Sequence, residues 1–317
     1  MSDAHLQLIG EQIADLQAHF VRHEGFRRLE EDFRLLRHRR EADIKAGRSR
    51  EVRGIAVIGA SGSGKTTAVD RLLRNAASVV KADPDHRAII SLRVPSPATV
   101  KYVGQTILRG LGYPVNGRRE SWYVWNLVRY QLKERQTLFL HLDEAQDLAA
   151  KGTERERQSV VNLLKSLMQD PDWPICLVLS GTGELADILN FDPQLGRRFQ
   201  PIRFEPISEL ADLAKVRDLL SAYIGKTVLA VDPDIESDAF GTRLVHAAAN
   251  EFGLVIEIAI AAIEVALLRR ATTLTVADFA GAFRRRAGCI DGLNPFVAEN
   301  FRRIDPRELL AEEDRIR

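Results

Sequence analysis

The chain has 317 residues, 45% of them apolar, with 45 basic against 44 acidic side chains; that is length for a full core and more than one folded unit, and a near-neutral balance excludes no nucleic-acid partner, since a local patch can neutralise phosphates. Cys176 and Cys289 are far apart and outside any CxxC or Cys/His cluster, which excludes a zinc site or disulfide framework and fits a reducing compartment. No apolar run approaches the ~20 residues of a membrane span, and MSDAHLQLIGEQ lacks the basic start and apolar stretch of a signal peptide, so the expectation is a cytoplasmic protein with no membrane partner.

Residues 3–47 read as mostly helix. Leu6, Leu8, Ile9, Ile13, Leu16 and Phe20 recur at helical spacing, and the charged run FRRLEEDFRLLRHRREADIKAGRSREVR follows. Its basic end reads as a solvated helix face leading into a linker, or as a subunit or nucleic-acid contact. From Ile55 short apolar runs alternate with longer helical patterns. Strands are predicted at 55–59, 88–94, 137–143, 174–181 and 201–208, with a Pro95-Ser96-Pro97 break after the second. This alternation predicts an α/β domain with a parallel sheet covered on both faces, a three-layer arrangement. After Pro206 the pattern is all-helical. LVIEIAIAAIEVALLRRA is apolar around most of its circumference and predicts the central helix of a small bundle; Thr275 with Asp278 predicts a capping box. The expected organisation is a helical extension over 1–50, an α/β core over 51–207, a helical lid over 208–290 and a tail over 291–317.

Four stretches carry the chemistry. The first is Gly59-Ala60-Ser61-Gly62-Ser63-Gly64-Lys65-Thr66-Thr67, which satisfies G-x-x-x-x-G-K-[ST] between a predicted strand and a predicted helix. Its glycines let backbone N–H groups turn in around phosphates, Lys65 reaches the β/γ-phosphates, Thr66 faces Mg²⁺, and the helix N-terminus adds its dipole. The second is TLFLHLDEAQDL. It places Asp143 and Glu144 at the tip of a strand, the first to hold Mg²⁺ through water and the second to polarise the attacking water. His141 inside that strand is expected in the core. In the third, PICLVLSGTGEL, Thr182 is the preferred side chain for orienting water or touching the γ-phosphate, with helix capping as the alternative. The fourth, DPQLGRRF, puts Arg197 and Arg198 just before the last strand of the sheet.

These four elements, in this order, resemble the AAA+ ATPase superfamily over roughly residues 50–290. The resemblance implies ATP and Mg²⁺ as ligands, a nucleotide between subunits, a ring or helical filament as the working form, and an arginine given in trans, Arg198 preferred and Arg197 second. Where many relatives carry a sensor arginine in the lid, this chain has Glu257; Arg243, Arg269 and Arg270 are the possible substitutes. Within the superfamily, SLRVPSPATVKYVGQTILRGLGYP, DEAQDL, LSGTGELADIL with DPQLGRRF, and Asn294-Pro295-Phe296 resemble TniB/TnsC-like transposition regulators, and ExeA-type and Cdc6/Orc-like ATPases share some of them. The resemblance implies ATP-dependent coating of double-stranded target DNA, recruitment of a transposase, reset by hydrolysis, and a target-selection partner, in some systems a CRISPR-associated targeting complex. Lys101, Arg109, Arg118 and Arg119 lie on an edge that lines the channel of related rings, as phosphate contacts or as solvated helix faces. Trp122, Tyr123 and Trp125 are expected in the core, base stacking being the alternative. The tail is either a docking peptide or a segment packed on the lid. Two other functions stay open: a loader or initiator acting on a replication protein, and a nucleotide-dependent scaffold with protein partners only.

Overall fold

A computed structural model of the chain describes residues 2–79, 85–95, 98–115, 119–148, 153–308 and 310. Arg118, the Ser96-Pro97 part of the proline break and the final seven residues of the tail lie outside the described residues. Two compact units form: one of His23–Ser61 with Lys65–Phe204, the other of Met1–Arg22, Gly62–Gly64 and Glu205–Arg317.

The chain opens with α1 (Asp3–Ala18), part of the second unit, and α2 (Glu24–Lys45), part of the first. The first unit continues with β1 (Gly54–Ile58), α3 (Lys65–Val79), β2 (Ile89–Arg93), α4 (Val100–Gly110), α5 (Ser121–Glu134) and β3 (Phe139–Asp143). A short 3-10 turn (Ala145–Leu148), α6 (Glu154–Met168), β4 (Cys176–Gly181), α7 (Glu184–Phe191), α8 (Pro193–Gly196) and β5 (Phe199–Arg203) complete it. The strands pair in parallel in the order β2-β3-β4-β1-β5. Every residue of β1 and β4 is buried, as expected of central strands covered on both faces. The predicted parallel α/β sheet is therefore present.

Two readings change. The last strand runs from Phe199 to Arg203, not over 201–208. Gly54 pairs with Phe199, and the ladder ends where Phe204 N–H donates to Ile58 O at 2.8 Å. Pro201 is tolerated because β5 is an edge strand and one of its sides needs no donors. The charged run after residue 26 is also more than a solvated face leading to a linker. Phe26, Leu29, Phe33, Leu36 and Arg40 of α2 are buried, at spacings of three and four, and α2 packs on β1 and β5. Phe33 stacks at a tilt on Phe139 of β3, ring centroids 4.4 Å apart.

The second unit is helical. It contains α9 (Leu213–Ile224), the two-residue strand β6 (Ala230–Val231), α10 (Asp238–Ala247), α11 (Phe252–Leu268), a second short strand β7 (Thr273–Leu274) and α12 (Val276–Ala287). The core gathers around α11, whose Val255, Ile258, Ala259, Ile260, Ala262, Ile263 and Ala266 are buried, and Leu16 of α1 joins it. Both arms of the Thr275–Asp278 capping box form. The tail packs back. Phe296 lies among Phe240, Phe279 and Phe283, Asn294 Nδ2 donates to Ala280 O at 2.8 Å, and Arg243 donates to Pro295 O and Ala298 O. Arg269 is likewise engaged, forming two 2.7 Å bonds to Asp278. Among the described residues no helix is long and apolar enough to cross a membrane.

Candidate nucleotide site

The site sits at the carboxyl ends of the parallel strands, where doubly wound sheets place their ligands. Strand order explains its assembly. β4 lies between β1 and β3, so residues following β1 and residues ending β3 meet across the tip of β4. The loop after β1 starts with Gly59, whose N–H donates to Gly181 O at 3.2 Å. Gly62 and Gly64 have φ of +85° and +87°, a left-handed backbone that L side chains rarely adopt. Lys65 opens α3; its side chain is buried and Nζ donates to Ala60 O at 2.7 Å. Ser63 is buried, and Ser61, Thr66 and Thr67 are exposed.

Thr66 Oγ1 donates to Asp143 Oδ2 at 3.1 Å, although 77 residues separate the two in sequence. The other carboxylate oxygen, Oδ1, accepts from Ser180 Oγ at 2.5 Å. Ser180 in turn contacts His141 Nε2, and Ser91 Oγ contacts His141 Nδ1, both at 2.8 Å. His141 is buried as expected, and burial pushes its pKa down to about 4 against the pull of Asp143. On α3, burial raises the Asp70 carboxyl; Arg74 opposes this and the charge of Asp143 adds to it.

Glu144 is held differently. It has a φ of +53°, uncommon for a residue with a side chain. Gln146 Nε2 donates to its Oε2 at 2.7 Å, while Gln146 Oε1 accepts from the Thr182 N–H at 3.2 Å. Arg93, the last residue of β2, lies 3.8 Å from Glu144 Oε1, with its side chain 77% exposed, a geometry of small energetic weight. The structure thus brings Lys65, Thr66, Asp143 and Glu144 together at the strand tips and reaches Thr182 through its backbone. Sequence reasoning missed Ser180, Gln146 and Arg93. The signal for Gln146 was its place in DEAQ, and for Ser180 only a hydroxyl at the end of the apolar run PICLVLSG.

The two arginines before β5 differ. Arg197 is exposed. Arg198 is 3% exposed, and its guanidinium donates to Glu51 Oε2 at 3.1 Å and to Gln194 O. Burial works against the Glu51 charge, but the bonds from Arg198 and Gln169 outweigh it and hold that carboxyl below its ordinary range. Arg109 and Arg119 are exposed and Lys101 is half-buried. Of the three aromatics expected in the core, only Trp125 is there, donating from Nε1 to Val100 O at 3.0 Å. Trp122 is 67% and Tyr123 40% exposed, and Arg119 lies over the Tyr123 ring at 5.5 Å. The buried stripe of α5, Val124, Trp125, Val128, Gln131 and Leu132, turns the other two rings outward.

The residues present fit a Mg²⁺-nucleotide. A glycine loop with left-handed turns frames a helix N-terminus, a lysine is within the loop, and a hydroxyl and a carboxylate meet at 3.1 Å.

Among solved structures the chain is similar to the ORC1 protein of Aeropyrum pernix in complex with DNA, at 17% identity over 80% of this chain and 64% of that one, TM-score 0.56. It is similar to Cdc6p of Pyrobaculum aerophilum, at 18% identity over 73% and 60%, TM-score 0.53, and to the Aeropyrum pernix ORC2 protein (ADPNP-ADP complexes), at 12% identity over 80% and 66%, TM-score 0.55. The chain thus spans less than two thirds of the length of the first two, and identities this low speak for the fold alone. No curated protein matches the chain in sequence. The parallel five-stranded sheet with its helices is the AAA+ P-loop fold, and the family model described as the bacterial TniB protein matches residues 17–209, more than half of the chain: the chain belongs to the TniB family.

Proposed function

We propose that this chain is a Mg²⁺-dependent ATPase that assembles on duplex DNA with ATP bound, regulates transposition from there, and is released by hydrolysis. The observation that carries the reading is the meeting of Thr66 with Asp143 beside Lys65. In this assignment the loop N–H groups of residues 59–64 and Lys65 bind the phosphates. Thr66 and Asp143 hold Mg²⁺, which when bound neutralises charge on the phosphate oxygens. Glu144 accepts the proton of the attacking water as ATP and water become ADP and phosphate. Gln146 aims Glu144 and ties it to the Thr182 backbone. Arg197, whose head is exposed, reaches the nucleotide of a neighbouring copy, and Arg198 anchors the loop that carries it.

Lys101, Arg109 and Arg119 are assigned to DNA phosphates, with Trp122 and Tyr123 beside them. Family membership supports the transposition part, with a transposase and a target-selection protein as partners. The reading is tested by phosphate release from purified protein. Lys65→Ala is expected to lose nucleotide binding, and Glu144→Gln to bind ATP while turning over at least 100-fold more slowly. Undiminished turnover in Glu144→Gln would overturn the assignment of the base.

A further inference from the structure

Ahead of Asp143, the strand that it ends is apolar except for one residue. Phe139, Leu140 and Leu142 are buried carbon; His141 is 1% exposed, with the sheet on both sides of it. An imidazole in such a place is costly unless both ring nitrogens are bonded, and both are. Nδ1 lies 2.8 Å from Ser91 Oγ on β2, and Nε2 lies 2.8 Å from Ser180 Oγ on β4. Strand pairing arranges this: Ser91 is the register partner of His141, and residues 141 and 143 share one face of β3 because side chains alternate along a strand.

The directions of these bonds follow from counting hydrogens. A serine hydroxyl has one, and an ionised carboxylate has none. Ser180 lies 2.5 Å from Asp143 Oδ1, so its hydrogen is given there. The contact between Ser180 and the ring is then a bond in which Nε2–H donates. In the neutral ring Nδ1 is bare and accepts from Ser91. The chain Ser91, His141, Ser180, Asp143 crosses three strands, each hydrogen used once. It occupies Oδ1 and leaves Oδ2 facing Thr66 at 3.1 Å.

We propose that His141 is a positioning residue for Asp143, fixing its carboxylate through Ser180. The hydrogen-bond directions follow from the distances with Asp143 ionised and the ring neutral; their consequence for Mg²⁺ rests on the function proposed above. Loss of an outer partner of this kind typically weakens metal binding 10- to 100-fold.

Two measurements on the full chain separate these layers. Long-range ¹H–¹⁵N NMR of histidine-labelled protein, with the His141 signal identified by its absence from His141→Gln, is expected to show the proton on Nε2 and none on Nδ1. A proton on Nδ1 alone would overturn the proposal. Titration of Mg²⁺ against protein and a fluorescent ATP analogue is the second. Ser180→Ala and His141→Leu are expected to need at least about 10-fold more Mg²⁺ for half-saturation, with analogue binding in EDTA unchanged. Gln, whose amide can still donate toward Ser180, is expected to recover part of the loss at position 141. An unchanged Mg²⁺ requirement in either folded variant would also overturn the proposal. If wild-type protein binds no analogue at all, the proposed function fails, and the NMR result still decides the hydrogen-bond directions.

Discussion

Glu144 combines a left-handed backbone with a side chain fastened by Gln146 at 2.7 Å. Non-glycine residues held this way cost about 1–3 kcal/mol, and the surrounding bonds must offset that. Gly181 leaves the room that the Gln146 amide occupies: a Cβ there would lie 2.3 Å from its Oε1. Gln146→Ala is therefore expected to lower kcat about 10-fold, one hydrogen bond to a charged group, while KM for ATP stays the same. A rise in KM at constant kcat would instead assign Gln146 to substrate binding. The arginine pair separates at the same scale. Arg197→Ala is expected to leave the fold intact and to cut the ATPase rate of assembled protein about 1000-fold, the lower end for a trans arginine. Arg198→Ala is expected to lower the unfolding free energy by about 2 kcal/mol, because its buried head is bonded to Glu51 and Gln194. Chemical denaturation beside turnover measurements distinguishes the two outcomes.

At the scale of elements, legibility tracked how strongly one environment dominated a segment. The central strands were readable because burial on both faces leaves unbroken apolar runs, and the phosphate loop because its spacing is dictated by backbone geometry. α2 was harder: its buried Phe26, Leu29, Phe33 and Leu36 are diluted by charges that solvate the remaining faces. Phe33→Ala is expected to cost about 3–5 kcal/mol, the cost of a core residue, in contrast to the near-zero effect of a residue on a solvated extension. On α5, helical spacing alone could not say which side of the helix meets α4. The contact is made by Val124 and Trp125, against which a Cβ on Gly104 would press, so Trp122 faces outward. Trp122→Ala should leave stability within about 0.5 kcal/mol and weaken DNA binding by about 1–3 kcal/mol if the ring stacks on a base. Unchanged DNA affinity would reduce that ring to a bystander. Of the site, the residues that touch ligand by assignment were legible in sequence, whereas Ser180 and Gln146, which hold those residues, and Arg93, which lies near Glu144, depend on which strands are neighbours.

Across the whole molecule, the half-buried ring of His23 and the buried ring of His141 contribute to the loss of stability in acid. Burial brings both His23 and His141 from 6.5 to about 4. In the unfolded chain they take up protons below about 6.5, and in the folded chain only near 4. Stability present above that window is lost as pH falls through it. Asp278 adds to the loss further down. Burial disfavours its charge, but bonds from Arg269 and Thr275 prevail and hold its carboxyl below the ordinary range, so its contribution is lost as pH falls through that lowered value. Thermal unfolding followed from pH 7 to 4 is expected to show a falling midpoint, with the decline between 6.5 and 4 reduced in His141→Leu.

The proposed function ties DNA binding to nucleotide state. The most direct measurement is the anisotropy of a labelled duplex of arbitrary sequence, titrated with protein in ATP, a non-hydrolysable analogue, ADP or no nucleotide, at two salt concentrations. Binding is expected with the two triphosphates only, weakened by salt as phosphate contacts are, and persisting longest with Glu144→Gln. Equal binding in all four conditions, or none in any, would contradict it.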